Sequence, residues 1–230
     1  MKKKALAAVF RDTLPVMTGY LFLGVGFGIL LQEKGYGVLW SAAMALFMYA
    51  GSAQYLTVSL LAANASVLSA ALSVLFVNAR HIFYGITMLD AYRDTGKKKP
   101  YLIFALTDET YSLVTQNKPP EGMKRGTYCL LVSLFDHFYW VAGCVLGSLL
   151  GAALPIHFQG VEFVLTALFV TIFVEQWLSS KNHRPAIIGV CATALCLMIF
   201  GKDIFLIPSM VLIALILTLA RKTGRRKQDV

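Results

Sequence analysis

Charge is scarce in this sequence. Only 14% of its 230 residues are Asp, Glu, Lys or Arg, against about 25% in an ordinary soluble domain. Outside the apolar runs no stretch is long enough to build a soluble domain, and no low-complexity linker divides the chain. Cysteine is sparse too. Cys129, Cys144, Cys191 and Cys196 all lie in apolar runs, and none forms a C-x-x-C pair. They read as small buried hydrophobes and give no ground for a disulfide, a metal site or a redox compartment. The motifs of soluble enzymes are missing as well. No Walker A sequence is present, so no intrinsic ATPase is expected; nor is there G-x-S-x-G or H-E-x-x-H. The run Gly24-Val25-Gly26-Phe27-Gly28 lies in an apolar span and reads as helix packing. No cofactor and no metal are expected.

What is present is hydrophobic: 57% of the residues, with a mean hydropathy of +0.67. The expectation is an all-α polytopic membrane protein forming a single membrane domain over 1–230. Apolar segments fall at roughly 14–31, 38–63, 66–89, 101–116, 127–153, 161–180, 186–200 and 204–220. A straight span needs about 20 residues, so the short segments predict tilted, broken or re-entrant helices and about six to eight membrane segments.

The net charge of +9 does not point to nucleic acid, because no basic surface alternates with stacking aromatics. The basic residues flank apolar segments instead: Lys2, Lys3, Lys4 and Arg11; Arg93, Lys97, Lys98 and Lys99; Lys118, Lys124 and Arg125; Lys181 and Arg184; and the C-terminal run from Arg221. Loops 32–37 and 154–160 hold only Lys34 between them. The positive-inside rule is best satisfied if both termini and the loops at 90–100, 117–126 and 181–185 are cytoplasmic. That requires the segment 101–116 to enter and leave on one side. It also requires segments 38–63 and 66–89 together to make one net crossing. An internal two-fold repeat is expected as well, with halves 12–116 and 127–220. Ala45-Leu46-Phe47 precedes Gln54-Tyr55 as Ala167-Leu168-Phe169 precedes Gln176-Trp177, and Asp12 precedes Gly19 as Asp136 precedes Gly143.

Polar residues inside apolar runs are functional candidates by default, because charge at the bilayer centre is costly. Gly51, Ser52 and Gln54 sit together in the middle of 39–63, and we expect a helix interruption at 50–54 there. Asn78, Arg80 and His81 lie far into the next segment. Arg80 suits a carboxylate, either a substrate's or that of Asp108 or Asp136. His81 is either structurally satisfied or a proton switch. Asp108 and Glu109 point to two faces of one helix. Asp108 would bind an ammonium group or a proton, or it marks a helix end in the headgroups. Asp136 shares a face with Trp140, Gly143, Gly147 and Gly151, so it is expected against protein. Glu175 beside Lys181 and Arg184 reads as an interfacial ion pair.

Three stretches carry a family resemblance: "YAGSAQY" (49–55), "VNARHIFYG" (77–85) and "KPYLIFALTDETYSL" (99–113). They closely resemble the signature stretches of the AzlC-like branched-chain amino acid permeases, and "FYWVAGCVLG" (138–147) and "FVEQW" (173–177) also look like that family. The likeness runs from about 12 to 220. It implies a multi-pass protein of a bacterial plasma (inner) membrane. It implies the large subunit of an exporter of leucine, isoleucine, valine or methionine, working with a small AzlD-like membrane subunit. It implies drive from an ion gradient, not ATP.

On the matching positions, we expect Gly51, Ser52, Gln54, Asn78, Arg80 and Asp108 to bind substrate. Asp108, Glu109, His81 and Asp136 are expected to carry protons or pair charges. Phe47, Tyr55, Phe83 and Tyr84 are candidate apolar walls. The alternatives are an intramembrane enzyme acting on a lipid-like substrate, a non-transporting membrane subunit and a channel.

Overall fold

In the computed structural model, the described residues are 2–154, 182–201 and 205–226, with isolated positions between 163 and 178. The chain divides into two units, Met1–Thr166 and Ala167–Val230. All regular structure among the described residues is helical. The second unit holds α9 (Arg184–Phe200) and α10 (Leu206–Arg226), which pack on each other.

The first unit is built on two long helices, α1 (Lys2–Glu33) and α8 (Arg125–Ala153). Each is long and apolar enough to cross a membrane. They run parallel in close contact. Asp12 meets Tyr128, Leu21 meets Gly143, Val25 meets Gly147 and Ile29 meets Gly151, so the partner number rises along both helices. Glycine makes this approach possible. A Cβ on Gly24 would lie 2.9 Å from the Cys144 nitrogen, and one on Gly143 would lie 2.9 Å from the Tyr20 carbonyl oxygen. At its end α1 closes in a Schellman turn: Tyr36 N–H donates to the Leu31 carbonyl and Gly35 N–H to Gln32, with Gly35 at φ 86°.

From that far end the chain turns back. α2 (Val38–Phe47) runs antiparallel to α8, with Ser41 Oγ donating to the Cys144 carbonyl and Ala45 beside His137. It stops midway along α8. Tyr49 takes a left-handed φ of 41° and Ala50 an extended conformation. α3 (Gly51–Ala62) then returns toward the end α2 came from, passing Trp140 and placing Tyr55 against Leu23 and Phe27 of α1. The interruption therefore falls at 48–50, just ahead of the expected 50–54. Residues 51–54 form the first turn of the returning helix.

α4 (Val67–Asn78) and α5 (Arg80–Thr87) make the third path between the ends. They bend by 44° at Ala79 and together are apolar enough for one span. The chain emerges beside the start of α8: Lys98 Nζ donates to Thr127 Oγ1 at 3.2 Å. A second hairpin enters from this end. α6 (Lys99–Phe104), with Pro100 in its first turn, rises into the unit; α7 (Asp108–Gln116) descends, and Arg125 donates to the Val114 carbonyl. One core of Val9, Met88, Tyr92, Leu102, Leu106, Val114, Tyr128, Cys129 and Val132 ties these pieces together. Segment 101–116 thus enters and leaves at one end, and 38–89 makes one net passage. The second A-L-F stretch and Glu175, Gln176 and Lys181 lie wholly or largely outside the described residues.

Candidate functional site

The two broken hairpins meet tip to tip beside α8. Asp136 lies 11 residues into this 29-residue helix, about 16 Å along it at 1.5 Å per residue. That is roughly half the thickness of a bilayer's hydrocarbon core, about 30 Å. At this level three helices begin: α3 at Gly51, α5 at Arg80 and α7 at Asp108. Helix starts carry unpaired N–H groups and the positive end of the helix dipole. α7 is capped by Thr107 Oγ1, which accepts from Thr110 N–H, and Asp108 and Glu109 fill its first turn. α3 has no side-chain cap, because its N-cap is Ala50.

The structure brings Ser52, Arg80 and Asp108 into one group. Arg80 Nη2 lies 2.9 Å from Asp108 Oδ2 and donates to Ser52 Oγ at 3.1 Å. The Arg80 and Asp108 side chains keep 25% and 29% of their surface exposed, so the pair is neither sealed nor free. Gly51 packs against Trp140, where an added Cβ would lie 2.9 Å from the ring. Gln54 is fully buried, and its Oε1 accepts from Trp140 Nε1 at 2.7 Å. Asn78 ends α4 directly before the bend. Gln54 Nε2, Asn78 Oδ1 and Arg80 Nε are buried with no hydrogen-bond partner among the described residues. Buried polar groups are nearly always paired, so each of these atoms has capacity for a further polar partner.

His81 stands apart. Its Nδ1 contacts the Asn78 carbonyl at 3.2 Å and its ring meets Tyr84 edge-on. Glu109 and Asp136 form a second group. Tyr20 donates to Glu109 Oε2 at 2.8 Å, and Thr110 donates to Asp136 Oδ2 at 2.7 Å. Asp136 has no exposed surface, and among the described residues its partner is a hydroxyl, not a cation. Of the candidate walls, Tyr55 is buried and its hydroxyl donates to the Leu23 carbonyl, while Tyr84 stacks on Tyr111. Phe47 and Phe83 are 79% and 68% exposed.

Several residues of this centre carry no obvious sequence signal. Tyr20 and Trp140 read as ordinary aromatic residues of apolar helices. His137 Nε2 donates to the Ala45 carbonyl at 3.2 Å, so its Nδ1 accepts from the Tyr101 hydroxyl at 3.1 Å. Thr107 does carry a signal, though it was not read from the sequence above: a threonine followed by two acids is an N-cap pattern.

The family model described as AzlC protein matches residues 15–154. That stretch lies inside the Met1–Thr166 unit and holds every residue of the site above. A relative in Bacillus subtilis, named branched-chain amino acid transport protein AzlC, is 39% identical over 96% of this chain and 89% of its own. An uncharacterised membrane protein of Haemophilus influenzae is 43% identical over 94% of this chain and 89% of its own. Inner membrane protein YgaZ of Escherichia coli is 26% identical over 90% of this chain and 84% of its own. No solved structure matches the chain. With a family match across more than half its length and relatives this similar from end to end, the chain belongs to the AzlC family.

Proposed function

We propose that this chain is the large subunit of a secondary transporter for branched-chain and related hydrophobic amino acids. It would export leucine, isoleucine, valine or methionine across a bacterial plasma membrane, coupled to the proton gradient. A small AzlD-like membrane subunit would complete it, and the termini and basic loops would be cytoplasmic. The name of the Bacillus subtilis relative supports the substrate class.

The observation that carries the reading is the Arg80–Asp108 pair at the tip of the broken hairpins. An amino acid is a zwitterion, and its two charges can replace the partners in that pair. Arg80, with the free N–H groups at the start of α3, receives the carboxylate. Gln54 Nε2 supplies another donor. Asp108 and Asn78 Oδ1 accept from the ammonium. Binding therefore exchanges one ion pair for two, and neither protein charge is left bare in a low-dielectric site. Releasing Asp108 from Arg80 also loosens α7 from α5, which couples occupancy to movement of a hairpin.

The test is counterflow of labelled leucine, valine and methionine in vesicles holding this chain with its small partner. Saturable flux is expected. Asp108→Asn and Arg80→Lys should each lower it about 10- to 100-fold, since each removes a charge-assisted bond. Full flux by both variants would remove the pair from the mechanism. No saturable flux of any of the three amino acids would sink the assignment.

A further inference from the structure

Five oxygen atoms form an unbroken chain through the middle of the first unit. Glu109 Oε2 lies 2.8 Å from the Tyr20 hydroxyl, which lies 2.7 Å from Thr107 Oγ1. Thr107 Oγ1 is 3.0 Å from Thr110 Oγ1, and Thr110 Oγ1 is 2.7 Å from Asp136 Oδ2. The chain joins α1, α7 and α8, and a carboxyl group stands at each end. Thr107, Thr110 and Asp136 are buried, and Asp136 Oδ1 has no hydrogen-bond partner among the described residues.

These contacts can be counted in protons. All four oxygen–oxygen separations are of hydrogen-bond length, and each bond needs one hydrogen. The three hydroxyls supply three hydrogens, and ionised carboxylates supply none. Four bonds require a fourth hydrogen, carried by one of the two carboxyl groups. Burial argues the same way. Neither Glu109 nor Asp136 has an ion-pair partner among the described residues, and two bare carboxylates in a protein interior are costly. Nearby charges offer no substitute. Arg80 and Asp108 neutralise each other, and His137 is engaged at both ring nitrogens. The other titratable groups facing the chain are the phenols of Tyr49, Tyr84, Tyr101 and Tyr139, which carry no positive charge.

We propose that Glu109 and Asp136 share one proton and pass it between them through Tyr20, Thr107 and Thr110. In the transfer, Glu109 gives its proton to the Tyr20 oxygen and Tyr20 gives its own to Thr107. Thr107 gives its own to Thr110, and Thr110 gives its own to Asp136. Four O–H bonds break and four form. Each hydroxyl keeps one hydrogen with its direction reversed, and one positive charge moves from α7 to α8. Glu109 adjoins Asp108 in sequence, so a substrate that separates Asp108 from Arg80 changes the field at Glu109 and drives the proton along. This deepens the proton-coupled reading above and rests on it.

Two measurements on the intact two-subunit complex test the relay. The first is infrared spectroscopy at neutral pH without substrate. A protonated-carboxyl C=O band is expected, shifted in Tyr20→Phe and absent in the Glu109→Gln/Asp136→Asn double variant. No such band, or one unmoved by Tyr20→Phe, overturns the shared proton whether or not the protein transports amino acids. The second separates exchange from coupling. Tyr20→Phe and Thr110→Val should keep leucine counterflow within about twofold while losing most proton-driven accumulation, and Thr110→Ser should restore it. A loss of both activities in equal measure, or full coupling in Tyr20→Phe, overturns the relay. Absence of counterflow in the unmodified complex refutes the transport assignment instead.

Discussion

Gly19 and Gly147 are indistinguishable by type, since both open or continue a glycine-rich run of an apolar helix. Their surroundings differ completely. A Cβ on Gly147 would collide with the Val25 carbonyl oxygen, whereas one on Gly19 meets nothing within 4 Å. Gly147→Ala should therefore force α1 and α8 apart and cost about 1–3 kcal/mol, the usual range for overpacking. Gly19→Ala should be neutral. Thermal unfolding of the purified variants checks both, and equal melting points would contradict the close approach. The G-x-x-x-G-x-x-x-G spacing made the α8 face legible, because small residues four apart line one side of a helix. Tyr20 was not legible. Its hydroxyl matters because of Thr107 and Glu109, more than 80 positions away in sequence.

At the scale of elements, the breaks decide the site. Polar residues inside 39–63 marked an interruption in the sequence, whereas the bend at Ala79 inside 66–89 was not marked. They did not mark the turning point, which is fixed by Tyr49 and Ala50. Pinning of the two hairpins was likewise invisible. His137 on α8 holds the last turn of α2 through the Ala45 carbonyl and holds α6 through Tyr101, while Tyr49 stacks on its ring at 4.0 Å. One imidazole thus fixes the descending arm of one hairpin and the rising arm of the other. His137→Phe keeps an aromatic ring but leaves both partners unpaired, at about 1–3 kcal/mol for each buried group. Its melting temperature should fall by roughly 2–4 °C for each kcal/mol. An unchanged melting temperature would show that the hairpin tips are held by other contacts.

For the whole molecule, the chain start and the basic loops at 90–100 and 117–126 gather at one end of the first unit. Val9 near the chain start, Tyr92 and Tyr128 share one core, and Lys98 reaches Thr127. Gly37 lies at the opposite end, beyond the Schellman turn of α1. Single cysteines at Lys97 and Gly37, in a background with Cys191→Ser, should label from opposite sides of the membrane. Labelling of both from one side would refute the passage of 38–89 from end to end. The sequence by itself determined that the chain is helical and membrane-embedded and which polar residues lie within apolar runs. Composition and charge placement act locally and survive any arrangement of the helices. The tertiary structure decided which polar groups meet: Arg80 with Asp108 and Ser52, and Glu109 with Asp136 through three hydroxyls. Those pairings depend on where two broken hairpins stop beside α8. That depth is set by packing against α1 and α8 and not by the order of residues within any one segment.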